Sequence, residues 1–164
     1  MLIVRPITKE DLPEVLAILN REILEGTAHF GTDPMSMDDI LREFEHAGNY
    51  PWLGATEDGV VAGFARASPW KSRGAYARTC EVGVYVRPDY HRRGIAAAIY
   101  GQFLPELEAR GFKTLLGGIA LPNPASIRLH EKFGFSYVGT FPKVGWKFGK
   151  WRDVGYWALT FAEN

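Results

Sequence analysis

The sequence predicts a mixed α/β domain in which helices and strands are interspersed along the whole chain. Segments with apolar residues at steps of three and four, typical of helices, stand between short segments rich in β-branched and aromatic residues, typical of strands. Glycine, proline and capping residues separate these segments. The predicted order is βααβββαβαββ. Because the 164 residues contain neither a repeat nor a linker, we expect one domain over residues 1–164.

In the first half of the chain, the residue pattern predicts one strand, two helices and three further strands. Apolar residues at helical spacing between Leu12 and Ile23 indicate the first helix, which Gly26 ends. Asp58-Gly59 is a favourable two-residue turn between two strands. The predicted elements are a strand at 2–5, a helix after the capping residue Thr8, a second helix opened by Ser36 and Asp39, and strands at 52–56, 60–67 and 79–86.

The second half predicts two helices and three strands. A long helix begins at Gly94 and ends at Gly111, and Pro105 is expected to kink or split it. The strand at 114–121 is evenly hydrophobic, so we expect it in the centre of the sheet. The remaining elements are a short helix capped by Asn123-Pro124 that ends at Gly134, and strands at 135–141 and 153–161.

Composition narrows the function class and the compartment. The 19 Lys and Arg residues balance 19 Asp and Glu residues, so the positive field of a nucleic-acid-binding protein is absent. No apolar run is long enough for a membrane span, and the start of the chain does not resemble a secretory signal. The single cysteine, Cys80, cannot form an internal disulfide. The histidines lack the spacing of metal ligands. We therefore expect a cytoplasmic protein without metal, nucleic-acid partner or membrane partner.

A basic turn after the third predicted strand of the β-rich region indicates an anion site. The segment 84–96 leaves a strand, passes Arg92 and Arg93, and opens a helix with Gly94 and Ala96 in its first turn. Unpaired backbone N–H groups and the helix dipole attract anions at such a position, and small residues allow a phosphate to approach. A pyrophosphate suits this turn. The alternative is a solvated basic loop before an ordinary helix.

A second polar cluster is expected on the short helix that follows. Asn123, Ser126 and His130 stand at i, i+3 and i+7, so they share one helical face. An amide, a hydroxyl and an imidazole on one face form a plausible lining for a ligand groove. The alternative is that Asn123 only caps the helix while Ser126 and His130 are surface residues.

Glu81 is a candidate general base because it interrupts an apolar strand. A carboxylate in the middle of the segment 80–86 is costly to bury unless it is paired or functional. A carboxylate held in such a position can serve as a general base. The alternative is an exposed strand face.

Both ligand-binding segments resemble motifs of the GNAT superfamily of N-acetyltransferases. His91-x-x-Gly94-x-Ala96 is similar to its pyrophosphate loop, Gln/Arg-x-x-Gly-x-Gly/Ala, and departs from it at His91. The segment 123–135 resembles the signature Asn-x-x-Ser-x-x-(Leu/Phe)-(Tyr/His)-(Glu/Lys)-(Lys/Arg)-x-Gly-Phe. The resemblance implies the GNAT fold, a central mixed and mostly antiparallel twisted sheet of about seven strands flanked by about four helices.

The same resemblance implies acetyl-CoA as co-substrate and a division of roles among the site residues. Glu81 aligns with the family's catalytic glutamate and would act directly or through a water, and His130 would protonate the leaving thiolate. A backbone N–H near Tyr85 would polarise the carbonyl where two strands splay apart. The residues implied in acetyl-CoA binding are Val84, Tyr85, Val86, Arg92, Arg93, Gly94, Ile95, Ala96, Ala97, Asn123 and Ser126.

A narrower resemblance covers nearly the whole chain. The segments 69–86 and 144–155, above all the pattern Val-Gly-x-Lys-x-Gly-x-Trp-x-Asp, look like the phosphinothricin and methionine sulfoximine (methionine sulfone) N-acetyltransferases. This resemblance implies a homodimer and a small amino-acid-like amine substrate. The implied substrate-binding residues are Phe30, Lys71, Arg73, Tyr76 and Tyr85.

Other functions remain open at this level. The chain could acetylate a protein N-terminus or an aminoglycoside, although Lys71, Arg73 and Arg78 make the presumed acceptor region basic and unsuited to a polycation. It could also be a catalytically silent acyl-CoA-binding module, against which the presence of both Glu81 and His130 argues.

Overall fold

A seven-stranded sheet, in the order β1-β2-β3-β4-β5-β7-β6, organises the computed structural model, which describes residues 1–163. The strands are β1 (Leu2–Pro6), β2 (Trp52–Glu57), β3 (Val60–Pro69), β4 (Thr79–Val86), β5 (Thr114–Ala120), β6 (Ser136–Lys147) and β7 (Lys150–Thr160). Only the β4–β5 pair is parallel, and the other neighbours are antiparallel. The predicted mixed, mostly antiparallel sheet is confirmed, and β5 lies inside the sheet as its even hydrophobicity indicated.

Four helices cover the two faces of the sheet. They are α1 (Leu12–Glu25), α2 (Met37–Glu45), α3 (Ile95–Ala109) and α4 (Pro124–Lys132). On one face Leu12, Val15 and Leu19 of α1 pack with Phe64 of β3. On the other face, the apolar stripe of α3 packs on the strands and includes the fully buried Phe103. The sequence therefore predicted the number and the kind of elements correctly.

Local capping explains where the helices begin. The hydroxyl oxygen of Ser36 accepts a hydrogen bond from the backbone N–H of Asp39 at 3.1 Å, and the Asp39 carboxylate accepts one from the Ser36 N–H at 2.9 Å. This reciprocal pair confirms the predicted start of α2. Thr8 instead precedes a short 3-10 turn at Lys9–Asp11, and α1 begins after this turn.

Of the two outcomes expected at Pro105, a kink or a split of the long helix, the split does not occur. α3 continues through Pro105 as one 15-residue helix. Proline cannot donate to the carbonyl of Gly101, four residues earlier, but Pro105 and Gly101 are both exposed, so water can satisfy that carbonyl. Burial of the stripe that includes Ile99 and Phe103 outweighs the lost hydrogen bond.

The last two strands are longer than predicted. β6 and β7 form one hairpin that extends from Ser136 to Thr160, whereas the sequence predicted strands at 135–141 and 153–161 only. Lys147 pairs with Lys150, and the intervening Phe148 and Gly149 have φ values of 53° and 69°. Positive φ at both central residues is the geometry of a type I′ turn. Phe-Gly is an unusual residue pair for a type I′ turn, which favours Asn-Gly or Asp-Gly, so the sequence carries only a weak signal for a turn here.

The described residues contain neither a membrane-spanning helix nor a metal-binding cluster. Within residues 1–163, no helix is long and apolar enough to cross a bilayer. No group of three or more His, Cys, Asp or Glu side chains in the same part of the chain is placed to hold a metal ion. Cys80 is a free, buried cysteine, and burial raises the pKa of its thiol to about 12. Such a thiol packs as a small apolar group and is a poor nucleophile.

Replacing the proline inside α3 should stabilise the protein. Pro105→Ala restores the donor to the Gly101 carbonyl at an exposed position, and the gain in helix propensity exceeds the loss of unfolded-state rigidity. We expect the free energy of unfolding in urea to rise by about 1–3 kcal/mol. Pro124→Ala is the matched control, because Pro124 occupies the first turn of α4, where no donor is required. Equal effects of the two substitutions would contradict this account of α3.

Candidate active site

The parallel strands β4 and β5 separate at the centre of the sheet. Their pairing comprises Thr79–Thr114, Cys80–Leu115 and Glu81–Leu116, and ends there. β4 continues to Val86 and stays paired with β3 on its other side. The β5-facing edge of Val82–Val86 therefore presents backbone N–H and C=O groups without a strand partner, as the family resemblance led us to expect. Such groups require a ligand or water.

A cavity of about 520 Å³ opens at this separation. Its walls come from the loop after α1, from β3, β4 and β5, from α4, and from the β6–β7 hairpin. The cavity brings together the following residues that the sequence singled out: Phe30, Glu81, Val84, Tyr85, Asn123, Ser126 and His130. Its volume is in the range of small-molecule sites.

Glu81 is the carboxylate that faces this cavity. It is the last β4 residue paired with β5, and it is half-buried. Burial raises the pKa of Glu81, and a hydrogen bond from the hydroxyl of Tyr156 partly opposes that effect. A carboxylate with a raised pKa is a stronger base than one in water and can accept the proton of a bound amine.

His130 lies at the cavity wall with both ring nitrogens engaged. Its Nδ1 is 2.7 Å from the carbonyl oxygen of Ser126 and therefore carries the proton, and its Nε2 is 3.0 Å from the hydroxyl of Tyr100. Burial lowers the pKa of His130, which the hydrogen bond to Ser126 partly opposes. A neutral imidazole with this tautomer has no free proton to give. The acid role of His130 stays a prediction, which these hydrogen bonds do not favour.

Two consecutive glycines in β5 make room for these side chains, and the sequence analysis did not identify them. A Cβ on Gly117 would lie 2.9 Å from Cδ2 of His130, and one on Gly118 would lie 3.1 Å from Oε1 of Glu81. Because successive strand residues face opposite sides, each glycine admits one of the two side chains. Glycine inside a strand signals such a close approach, and that signal was available.

The predicted anion turn lies at the far end of β4. Val86 is about 16 Å from Glu81 along an extended strand. Gly94 has a φ of 73°, and a Cβ there would have nothing within 4 Å. α3 begins at the next residue, so the N–H groups of Ile95, Ala96 and Ala97 belong to its unpaired first turn. The Ile95 side chain is buried in the core, so only its backbone faces the turn.

The sequence predicted that Arg92 and Arg93 add positive charge beside an anion at this turn. In the structure, two of the three basic side chains of the turn contact protein groups instead. His91, at the position where the sequence departs from the family motif, has its Nε2 3.0 Å from the carbonyl oxygen of Val86 and so supports the turn internally. Arg93 donates to both carboxylate oxygens of Glu57, at 2.9 and 2.7 Å, and lies over the ring of Tyr90. Arg92 is exposed and belongs to none of the ion pairs found within residues 1–163.

The predicted substrate residues divide into two groups. Phe30 and Tyr85 line the cavity, whereas Lys71, Arg73 and Tyr76 lie outside it on an exposed loop. Trp70, which precedes these residues, packs its ring edge-on against that of Tyr156 in the cavity wall, with the ring centroids 5.3 Å apart. Substrate roles for the three loop residues stay predictions. The structure does not bring their side chains to Glu81.

The positive charge inside the cavity comes from Arg66, which the sequence analysis missed. Its side chain is 17% exposed and donates to the Glu43 carboxylate at 2.6 Å. Arg66 pairs with Gly83 across β3 and β4, two residues beyond Glu81. Ser68 and Tyr156 also line the cavity without having been predicted. An arginine in a β-strand carries no local signal of function, and only the strand pairing reveals its neighbour.

Comparison with known proteins identifies the family. Residues 16–135 match the Acetyltransferase (GNAT) family. The chain is 42% identical over 159 residues to a phosphinothricin N-acetyltransferase of Streptomyces viridochromogenes, covering 96% of this chain and 87% of that protein. It is 32% identical to an L-methionine sulfoximine/L-methionine sulfone acetyltransferase of Salmonella typhimurium, covering 95% and 92%.

A solved structure supports the same assignment. A GNAT superfamily phosphinothricin acetyltransferase from Sinorhizobium meliloti, in complex with acetyl-CoA, superimposes with a TM-score of 0.92 at 30% identity and covers 97% of this chain and 88% of that one. The chain belongs to the GNAT acetyltransferase family.

Proposed function

We propose that this protein transfers the acetyl group of acetyl-CoA to the amino group of a small amino-acid-like substrate of the phosphinothricin, methionine sulfoximine or methionine sulfone type. The observation that carries the proposal is the position of Glu81, a half-buried carboxylate at the point where β4 and β5 separate. The named activities of the relatives from Streptomyces and Salmonella support the class of acceptor.

Acetyl-CoA fits the two ends of β4. The first turn of α3 offers unpaired N–H groups to a pyrophosphate, and the open space at Gly94 lets the anion approach the backbone. The free edge of Val84, Tyr85 and Val86 suits the amide groups of the pantetheine arm, and Asn123 and Ser126 border the same cavity. The Asn123 Oδ1 accepts from the Ser126 N–H at 3.2 Å, so its amide nitrogen remains to contact the arm.

The chemistry follows from the placement of one base and one set of dipoles. Glu81 removes a proton from the ammonium group of the acceptor, directly or through a water, and the neutral amine attacks the thioester carbonyl. A backbone N–H at the open edge of β4, near Tyr85, stabilises the negative charge that develops on the carbonyl oxygen. The carbon–sulfur bond then breaks, CoA leaves as a thiolate, and the nitrogen gives up its second proton to form the neutral amide. The thiolate takes up one proton, from this nitrogen or from solvent, so that the products are the N-acetyl compound and free CoA. Cys80 takes no part, since its thiol is buried.

The acceptor end of the cavity suits a substrate that carries an anionic or strongly polar group. Arg66 presents guanidinium donors there, although the Glu43 carboxylate at 2.6 Å balances much of its charge, and Ser68, Tyr85 and Tyr156 supply hydroxyl groups. Phe30 and Tyr85 provide aromatic walls for an aliphatic side chain. Among the residues that line the cavity, Glu81 is the one carboxylate, so aminoglycosides and polyamines, which need several anionic partners, are poor candidates.

We also propose that the protein is a homodimer and that it acts in the cytoplasm. Exposed aromatic side chains concentrate on the β6–β7 hairpin, where Tyr137, Phe141, Trp146, Phe148 and Trp151 are each more than half exposed. β6 is also an edge strand of the sheet. Apolar exposure on this scale is typical of an interface, and a second copy of the chain would cover it. The free Cys80 thiol fits a reducing compartment.

A panel of amines tests the proposed acceptor class. Thiol release from acetyl-CoA should be fastest with phosphinothricin, methionine sulfoximine or methionine sulfone, because each joins an α-amino group to groups that Arg66 and the hydroxyls can bind. Spermidine and an aminoglycoside should react at least roughly tenfold less efficiently in kcat/KM. A polycation as the best substrate would overturn the assignment.

A charge placed at Gly94 should weaken the binding of acetyl-CoA. Gly94→Asp puts a carboxylate beside the pyrophosphate position, and we expect the Kd from calorimetry to rise roughly 10- to 100-fold. Gly94→Asn is the matched control, because asparagine has nearly the same shape and tolerates the same positive φ without the charge. If both variants bind equally, the charge argument for this turn is wrong.

Removing the carboxylate of Glu81 should slow the chemistry and spare cofactor binding. Glu81→Gln should lower kcat by ~10²–10⁴-fold while the Kd for acetyl-CoA stays within about twofold. His130→Phe should cost less, since His130 has no free proton to donate. In the wild type, burial raises the pKa of Glu81, so kcat/KM should fall as the pH drops through that raised value. Wild-type kinetics of Glu81→Gln across pH 6–9 would refute the base assignment.

A further inference from the structure

Lys147 is a buried lysine for which the catalytic roles proposed above give no explanation. It is the last residue of β6, and only 5% of it is exposed. Its Nζ donates to the carbonyl oxygen of His29 at 2.7 Å and lies 3.4 Å from that of Glu22. Within residues 1–163 it belongs to none of the ion pairs found. Burying an ammonium group is costly, so these carbonyl partners must be important to the structure around them.

Both carbonyl partners belong to the segment that ends α1 and continues into the cavity wall. Glu22 lies in the last turn of α1, and the negative end of the helix dipole there favours a cation. The following residues, Thr27, Ala28, His29 and Phe30, all line the cavity. Apart from the lysine, the loop has few other ties: the Gly31 N–H donates to Nδ1 of His29, and the Gly26 N–H to the Glu22 carbonyl. Lys147 therefore joins this short wall to a hairpin more than 110 residues further along the chain.

A second contact also joins the loop after α1 to the β6–β7 hairpin. A Cβ on Gly145 would collide with Cε2 of the Phe30 ring. The Phe30 ring thus rests on the bare backbone of β6, two residues before Lys147. The aromatic ring of His29 in turn faces that of Tyr85 on β4, with centroids 6.2 Å apart. The hairpin consequently sets the position of two rings at the acceptor end of the cavity.

We propose that Lys147 is a positioning residue for acceptor recognition, which acts by holding the loop at residues 27–30 against the β6–β7 hairpin. It touches neither the base Glu81 nor the anion turn at Gly94, so it governs how well the amine substrate is bound rather than the chemical step or acetyl-CoA binding. The effect of Lys147 on the amine substrate rests on the proposed function, whereas its contact with the loop at residues 27–30 does not.

The test compares two lysines of one hairpin. Lys147→Met removes the donors and keeps an unbranched apolar stem, whereas Lys150→Met makes the same change at an exposed position. Amide hydrogen exchange is measured across both variants, and steady-state kinetics follow with methionine sulfone and acetyl-CoA. If Lys147→Met does not fold, Lys147→Gln, which keeps one donor group, takes its place.

We expect Lys147→Met to affect the loop at residues 26–31 and the binding of the amine substrate, and to leave the other parts of the site unchanged. In Lys147→Met, exchange should accelerate at residues 26–31 and stay unchanged in β4 and α3. The KM for the amine should rise roughly tenfold, with kcat and the KM for acetyl-CoA within about twofold. In a Phe30→Ala background the same substitution should have little further effect, since the wall it positions is already lost.

Three results would contradict the role of Lys147, and each can be told apart from a failure of the proposed function. Exchange at residues 26–31 equal to that of Lys150→Met would overturn the proposal, and so would a loss of kcat with an unchanged KM for the amine. Full additivity with Phe30→Ala would also overturn it. If the wild type acetylates none of the proposed amines, the proposed function fails, while the exchange measurement still decides whether Lys147 holds the loop.

Discussion

The end of strand pairing between β4 and β5 is the constraint on which the functional part of this structure depends. Two parallel strands that stay paired use the backbone groups on their facing edges for each other and leave no space between them. Here pairing stops at Glu81–Leu116, which opens a cavity and leaves the β5-facing edge of β4 without a strand partner. An unpaired backbone edge is costly to bury without partners. The same feature that would weaken the sheet is the surface to which we assign an extended ligand.

The two ends of that surface have different physical characters. At Gly94, the binding that we propose would depend on backbone dipoles and on the absence of a side chain, so the left-handed conformation matters more than the identity of nearby residues. The ring of His91, which replaces the family's usual residue, contacts the carbonyl oxygen of Val86 and supports the turn internally. At Glu81, the proposed function would depend on a side chain whose pKa is raised by burial, an effect that the Tyr156 hydroxyl partly opposes. The glycine at position 118 is what allows the carboxylate to sit there.

The β6–β7 hairpin has a larger role than its position at the sheet edge indicates. Through Gly145 and Lys147 it contacts the loop after α1, and through Phe141 and Val144 it lines the cavity. Its outer surface is rich in exposed aromatic residues. A single hairpin thereby connects the acceptor wall with the surface that we assign to the second subunit, so changes at that interface can reach the substrate end of the site through a short path.

The sequence by itself determined the order of the elements, and it located the two segments to which we assign the ends of a ligand site. Helical periodicity, the Ser36–Asp39 cap and the Asp58-Gly59 turn are local signals, and the motifs at Gly94 and Asn123 depend on neighbours within one turn of a helix. Local signals failed where tertiary packing decided the result. α3 runs through Pro105 because its buried stripe outweighs one hydrogen bond, and the hairpin extends to Phe148-Gly149 because β6 pairs with β7 again from Gly145, beyond an irregularity in the register. Arg66, Gly117, Gly118 and Lys147 acquire their roles only from contacts across strands or between distant segments. Such contacts leave no periodic trace in the sequence, so only the tertiary structure could reveal them.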